Sequence, residues 1–443
     1  MSSFLISVVA VVFVLGTIVL LHEFGHYMAA KSLGVRVEVF SLGFGKRLLG
    51  FHHGETDYRI SALPFGGYVR MSGENPLETR SGDPREFLSH PRWHRFLIAL
   101  AGPGVNILLA VALLTGVYMV RYEHPAFEEE PARVGWVMEN SPAEKAGILP
   151  GDLIVRIDGV QNPTWEDERY REVINTGQAI DIAVQRGNQI LTKTLVPQKV
   201  GPDEVGYAGL EPQQKLIITE MESTMPAAKA GMKIGDQILA INGVPIQSLP
   251  GLLRGLRENK DRLADIAASR NGQELHFRVT PVQSQIEGET YYRIGISSNP
   301  MRIDKLSFAV ALRKSLDDNQ KSSGLVLDLM TRMIQRKVSI RLMSGPIGMA
   351  RVSGEVARQP GWTPLLRLMA MISLQLGIFN LFPIPILDGG IILLLLLEGL
   401  MRRDISLRVK ERIYQAAFLF LVLFAMLVIY NDLAKTIPGL GRP

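Results

Sequence analysis

Residues 4–26 read FLISVVAVVFVLGTIVLLHEFGH: an uncharged apolar run from Phe4 to Leu21 passes without interruption into His22-Glu23-Phe24-Gly25-His26. A helix needs roughly 20 apolar residues to cross a hydrocarbon layer of ~30 Å, so the run reads as a membrane span that ends on a His-Glu-x-x-His pattern. On a helix, His22 and His26 are four apart and project from one face about a turn apart. Glu23 lies beside them. This spacing supplies two zinc ligands and a general base. Ionisable side chains are expensive within a membrane helix and are kept there for function; the bland alternative is a helix tip emerging into water. No basic segment precedes the run and no small-residue cleavage site ends it before His22, so it is not expected to be a signal peptide.

Three further stretches qualify as spans by length and apolarity: Phe96–Val120, Leu368–Leu387 and Ile413–Tyr430. The 443 residues therefore divide into apolar ends and an ordinary polar middle, a partition hidden in averages of 47% hydrophobic and 21% charged residues. The net charge of +5 and pI near 9.3 arise from Lys and Arg dispersed among nearly as many acids. No basic tract with interleaved aromatics stands out, which argues against nucleic acid as a partner. With no cysteine, disulfides, thiolate zinc sites and a cysteine nucleophile are excluded. Lys31, Arg36, Lys46, Arg47, Arg92 and Arg95 flank the first two spans, and Arg402, Arg403, Arg408, Lys410 and Arg412 lie between the last two. By the bias of Lys and Arg toward the cytoplasm, both connections read as cytoplasmic, with both termini and residues 121–367 outside.

The outer segment repeats itself. Ser141-Pro142-Ala143-Glu144-Lys145-Ala146-Gly147 matches Met225-Pro226-Ala227-Ala228-Lys229-Ala230-Gly231, Gly151-Asp152 matches Gly235-Asp236, and Asp158-Gly159 matches Asn242-Gly243. The offset is 84 throughout (226 minus 142, 243 minus 159). That spacing means tandem domains rather than a solenoid, whose units run ~20–50 residues. Each copy reads as a short helix ended by Gly, a turn, and a strand running into a Gly turn. The pattern resembles PDZ domains of bacterial envelope proteases, which implies peptide ligands taken up by strand addition; β-rich spacers without a ligand are the alternative.

A catalytic zinc commonly has three protein ligands and one open position. Asp388 is the candidate third ligand. It follows Asn380-Leu381-Phe382-Pro383-Ile384-Pro385-Ile386-Leu387, where two prolines break the helix, and broken helix at membrane depth is tolerated where it is buried in protein or lines a watery cavity. Taken alone, Asp388 equally reads as an interfacial acid at a helix end.

Taken together, His-Glu-x-x-His in the first span and Asn-x-x-Pro-x-Pro-x-x-Asp-Gly in the third resemble the site-2 protease family, intramembrane zinc endopeptidases of regulated proteolysis. With four spans and two PDZ-like repeats between spans two and three, the likeness is to a bacterial subgroup and covers essentially the whole chain. It implies a polytopic α-helical membrane protein of the bacterial inner membrane, with Zn2+ held in the membrane by His22, His26 and Asp388 and with Glu23 as base. It implies substrate contacts at Asn380, Pro383 and Pro385, and at Gly66, Gly67, Tyr68 and Val69 of a membrane-associated hairpin that begins at Leu63; an ordinary cytoplasmic hairpin is the alternative. Its partners would be the lipid bilayer, single-span substrates such as a pre-trimmed anti-sigma factor, and signal-peptide remnants. Ile391 departs from the subgroup, which often carries His after Asp-Gly-Gly. Gly102-Pro103-Gly104-Val105-Asn106 reads as small-residue helix packing.

The expected domains are 1–120 (span one, hairpin, span two), 121–215 and 216–300 (the repeats), 301–360 (amphipathic helices near the membrane, or packed on the protease) and 361–443 (spans three and four). The rival reading is a non-catalytic membrane scaffold that binds peptides through its repeats, which would have no need of His22, Glu23, His26 and Asp388 together.

Overall fold

The computed structural model describes residues 3–75, 82–128, 130–201, 203–286, 289–298 and 301–436; the chain ends, whose side of the membrane the sequence reading assigns, lie partly outside these, as do the Pro64 and Phe65 side chains of the hairpin. In chain order, helix α1 (Ser3–Ser32) precedes strands β1 (Val37–His53) and β2 (Thr56–Met71) and helix α2 (Arg92–Arg121). Helices α3 (Pro142–Lys145), α4 (Trp165–Ile174), α5 (Pro226–Lys229) and α6 (Leu249–Asn259) follow among short strands. The chain closes with α7 (Phe308–Ile334), α8 (Pro346–Ala357), α9 (Thr363–Asn380), α10 (Asp388–Met401) and α11 (Leu407–Thr436). It divides into two units, Met1–Tyr122 with Lys305–Leu327 and Met343–Pro443, and Glu123–Asp304 with Asp328–Leu342.

In the first unit, α1, α2 and α11 are long and apolar enough to cross a membrane. The His-Glu pattern lies inside α1, which runs on to Ser32, rather than at its tip. The third stretch departs from expectation. It does not stop at Asp388: α9 ends at Asn380, the two prolines occupy the turn, and the apolar run resumes as α10 to Met401. At 1.5 Å per residue the 18 residues of α9 reach about 27 Å and the 14 of α10 about 21 Å, both short of ~30 Å, so the break lies between two shortened helices. The expected helical stretch from 301 also begins late, because Met301–Asp304 is a strand paired with Tyr122–Pro125.

Small residues let these helices meet. A Cβ on Gly25 of α1 would lie 2.6 Å from the Ala101 carbonyl oxygen of α2, and one on Gly354 of α8 would overlap Ser7 of α1. Val14 and Ile18 of α1 pack on Leu365, Leu368, Met369 and Ile372 of α9. The start of α8 is tied down as well: the Asp432 carboxylate on α11 accepts the Gly345, Ile347 and Gly348 N–H groups at 2.9–3.0 Å, capping α8. At the other end, Arg92 of α2 pairs with Asp404 in the α10–α11 connection at 2.6 Å, so the two Arg-rich connections lie together.

Strands β1 and β2 form a long, irregular hairpin in which residues 37–42 are flanked on one side by 57–60 and on the other by 67–71. The 67–71 stretch is thus an edge. Val35, Val37, Val69 and Met71 pack with Ala30 and Ile98, which fixes that edge beside α1 and α2.

The second unit contains the repeat. Strand 153–157 pairs with 180–186, and 237–241 with 264–270, with Ile154 opposite Val184 and Ile238 opposite Ala268; the offset is again 84 (238 minus 154, 268 minus 184). Gly147 and Gly231 close α3 and α5 at φ of 73° and 87°, left-handed values that favour glycine. Each copy buries an aspartate held bidentately by an arginine, Asp152 by Arg186 at 2.7 and 2.8 Å and Asp236 by Arg270 at 2.7 and 2.8 Å. The Arg270 guanidinium holds the Asp236 carboxyl below the usual carboxylate range. Each copy has its own apolar core. The two cores come from one local pattern used twice.

One feature belongs to the first copy alone. Glu168 and Glu172 on α4 are both buried, and the Ala208 N–H donates to Glu172 at 3.2 Å. Burial raises both carboxyls, aided for Glu168 by the charge of Glu172 and opposed by Arg169, and pushes Glu172 up to about 7 from an ordinary 4.5. An acid raised on folding stabilises below its unfolded value and loses that contribution as pH rises through the folded one. Packing of α4 should therefore weaken between pH about 4.5 and 7, by roughly 1–3 kcal/mol. Hydrogen-exchange protection of α4, corrected for intrinsic rates, should fall over that range in wild type and stay flat in the double variant Glu168→Gln/Glu172→Gln, which removes both raised carboxyls; an identical fall in the double variant would count against the assignment.

Candidate metal centre

Within the first unit, α1, α2 and the break between α9 and α10 converge on one point. His22 and His26 come from one face of α1 and Asp388 from the first residue of α10, the place where a carboxylate also meets the positive end of a helix. Their ligand atoms all lie within 4.8 Å of one another. His22 Nε2 is 3.2 Å from Asp388 Oδ2, His26 Nε2 is 3.4 Å from Asp388 Oδ1, and the two Nε2 atoms are 3.2 Å apart. A tetrahedral zinc with ligands at about 2.0–2.1 Å requires neighbouring donors roughly 3.3–3.4 Å apart. The donor set fits that ion, and the His22–His26 edge has nearly that length, while each histidine meets a different oxygen of the Asp388 carboxylate.

The far sides of the imidazoles fit it too. His26 Nδ1 donates to the Ile98 carbonyl of α2 at 2.8 Å, leaving Nε2 as the lone-pair donor. His22 Nδ1 lies 3.2 Å from the amide of Asn106, a residue with no exposed surface whose Oδ1 has no hydrogen-bond partner. Turning that amide over, an assignment made on the network, lets Nδ1–H donate to Oδ1, which satisfies the orphaned oxygen and points the His22 Nε2 lone pair at the centre. Sequence reading gave the 102–106 stretch to packing; the structure adds that Asn106 orients a histidine. Gly102 presses on both rings, since a Cβ there would lie 2.3 Å from His26 Nε2 and 2.9 Å from His22 Cε1. A polar residue one helical turn after a glycine in an apolar helix was the available signal. Asn106→Leu should weaken metal affinity 10–100-fold, measured by competition with a chelator of known affinity; unchanged affinity would remove the orienting role.

Glu23 sits beside this triad with its Oε2 accepting the Val69 N–H of β2 at 3.1 Å. Gly67 comes equally close, a Cβ there lying 3.3 Å from Glu23 Cγ, and Tyr68 stacks on Phe44 at 5.9 Å. Gly66 stands at φ 102° against the Phe44 ring. The hairpin edge is therefore brought to Glu23. Asn380, the last residue of α9, points its amide at His22 Nε2 from 3.5 Å. Pro383 and Pro385 form the turn that delivers Asp388, tightened where Gly389 and Gly390 pack on the Leu381 and Ile384 carbonyls with no room for a Cβ. Ile391 lies one turn beyond Asp388 on α10 and faces a cavity.

A model of Peptidase family M50 matches residues 10–424. The regulator of sigma-E protease RseP of Escherichia coli K12 is 30% identical over an alignment covering 98% of this chain and all of that protein. The regulator of sigma E protease of Salmonella typhi is 29% identical with the same coverage. A Vibrio cholerae protein that bears the name of a zinc metalloprotease is 30% identical, again over 98% of this chain and all of its own length. With the family matched over nearly its whole length and a triad of the right chemistry in its membrane helices, the chain belongs to peptidase family M50, the site-2 protease family of membrane metalloproteases.

Proposed function

We propose that this protein cuts peptide bonds within the transmembrane segments of single-span membrane proteins, with His22, His26 and Asp388 as zinc ligands and Glu23 as the catalytic base. The observation that carries the reading is the convergence of the three ligand atoms within 4.8 Å beside Glu23, with both histidines and Glu23 on a helix long and apolar enough to cross a membrane. A scaffold requires no such cluster. The bound ion would supply an acidified water and a polarised carbonyl. Glu23 would take a proton from the attacking water and return it to the leaving amine.

A transmembrane helix hides its carbonyls in its own hydrogen bonds, so the substrate has to be unwound first. The edge at Gly66, Gly67, Tyr68 and Val69, where Glu23 accepts the Val69 N–H, would offer backbone partners to an extended strand once that bond is exchanged, and Asn380 offers a side-chain amide, while Pro383 and Pro385 form the turn beside the site. The α9–α10 pair serves as the remaining traversal, giving four in all. The pairing of Arg92 with Asp404 supports a common side for both Arg-rich connections, and the Lys and Arg bias favours the cytoplasm for it, in keeping with PDZ-like repeats on the periplasmic side of an inner membrane. The names of the Escherichia and Salmonella relatives favour a membrane-bound anti-sigma factor, already trimmed outside, as substrate; signal-peptide remnants have the same single-span form.

The test is cleavage of a tagged single-span protein by the purified enzyme in detergent or vesicles. Chelation should stop the cut and about one equivalent of zinc should restore it, with the product mapping inside the apolar segment. A product that maps outside that segment, or cutting indifferent to chelation, would sink the proposal.

A further inference from the structure

A cavity of about 820 Å3 opens beside the proteolytic centre, walled by β2 at Arg70 and Met71, by Glu74, by α10 and by α11. It adjoins the site by two routes. Val69, whose N–H reaches Glu23, precedes Met71 by two residues on the same edge, and Ile391 in its wall follows Asp388 by one helical turn.

The charges in this cavity do not cancel. Arg70 is taken by Glu38 at 3.0 Å and Lys410 by the buried Glu398 at 2.7 Å. Arg95 is the third base in the lining, so four acids face three bases there. Glu74 and Glu411 are left: among the described residues neither has a basic partner, Glu74 accepting only the Met71 N–H at 3.2 Å and Glu411 the Gln415 amide at 3.2 Å. Met71, Leu394 and Phe418 give the same cavity an apolar share of its wall, and Tyr414 stands within reach of the Glu74 charge. The complementary group is an aliphatic stem with a cationic end, which is the shape of a Lys or Arg side chain.

Membrane proteins carry Lys and Arg just beyond the cytoplasmic ends of their spans. We infer that this cavity is a specificity subsite for a Lys or Arg flanking the cytoplasmic end of the substrate's transmembrane segment, with Glu74 as its charge partner. The inference rests on the proteolytic reading above. At about 3.3 Å per residue, a substrate strand laid along the β2 edge from Val69 brings into the cavity a residue some two to five positions from the bond beside Glu23. Burial pushes the Glu74 carboxyl up from its ordinary range; an incoming cation reverses that cost. Glu411, more exposed, sits nearer the mouth.

The experiment uses three versions of one tagged single-span protein, identical except for Lys, Gln or Glu at the cytoplasmic flank, presented in membranes to wild type, Glu74→Gln, Glu74→Lys and Glu23→Gln. Gln at position 74 keeps an acceptor for the Met71 N–H, so the fold of the turn is preserved. Wild type should cut the Lys version roughly tenfold faster than the Gln version, the scale of a half-buried charge pair. That ratio should fall to about one in Glu74→Gln, and a Glu-flanked version should be favoured by Glu74→Lys. A Glu23-dependent cut with a ratio of one in wild type, or a ratio unchanged in Glu74→Gln, overturns the subsite alone. Cutting at the wild-type rate in Glu23→Gln takes the base away from Glu23 and overturns the proteolytic reading on which the subsite rests, and the subsite with it.

Discussion

Glu23→Gln should retain its metal and lose its proteolysis. General acid–base assistance of this kind contributes roughly 10²–10⁴-fold, so single-turnover cleavage should slow by about that factor while zinc content stays near one per chain. The variant is informative because Gln is the same shape. Its Oε1 can still accept the Val69 N–H that Oε2 accepts in wild type at 3.1 Å, so the β2 edge keeps its place beside α1. What Gln lacks is the ability to hold a proton between the attacking water and the leaving amine. Glu23→Asp forms the complementary case: it keeps a carboxylate that can carry a proton, but withdraws it by one methylene from both the centre and Val69. It should be impaired through position rather than proton affinity, with a loosened hairpin edge visible as faster exchange of the Val69 amide. Equal turnover by Glu23→Gln and wild type would assign the base to another residue.

How much of this was legible in the chain depends on the range of the contact. The His22, Glu23 and His26 spacing is local, because one helical turn brings the three together, and it was readable at once. Asp388 could be nominated because Pro383 and Pro385 announce a break, though the prolines do not say that the helix restarts; the charge of Asp388 ended the apolar window, and α10 beyond it went unread as part of the same traversal. The repeat was legible because Asp152 and Asp236 are embedded in identical local patterns, while their partners Arg186 and Arg270 lie 34 residues further along each copy and share the offset without any motif to flag them. The hairpin was seen only at Leu63–Val69, since the Lys46, Arg47 and His52 charges along β1 obscure its alternation, and nothing local links Val69 to Glu23, 46 residues away. Asn106 and Gly102 were read as packing for the same reason. Their significance comes from the α1–α2 contact, which exists only in three dimensions.

Gly102→Ala should empty the metal centre while making α2 a better helix. Ala is favoured over Gly within a helix by roughly 1 kcal/mol, and the substitution adds one methyl group, so on local grounds it is among the mildest changes available. The geometry opposes it. The new Cβ would lie 2.3 Å from His26 Nε2, 2.6 Å from His26 Cε1 and 2.9 Å from His22 Cε1, atoms on the side of each ring that faces Asp388. Neither helix can back away cheaply, because Gly25 already brings α1 against the Ala101 carbonyl, and the His26 ring is pinned from behind by its 2.8 Å bond to the Ile98 carbonyl. The rings must therefore turn, and a turn that clears a methyl group spoils donor spacings that a tetrahedral ion holds to within a few tenths of an ångström. Zinc content should fall well below one per chain, and proteolysis should fall at least as far as in Glu23→Gln. Gly104→Ala supplies the control on the same helix: a Cβ there meets nothing within 4 Å, so metal and activity should both survive. If Gly102→Ala kept full zinc content, the imidazoles would have room that this geometry denies them, and the assignment of Nε2 of both histidines to the metal would have to be abandoned.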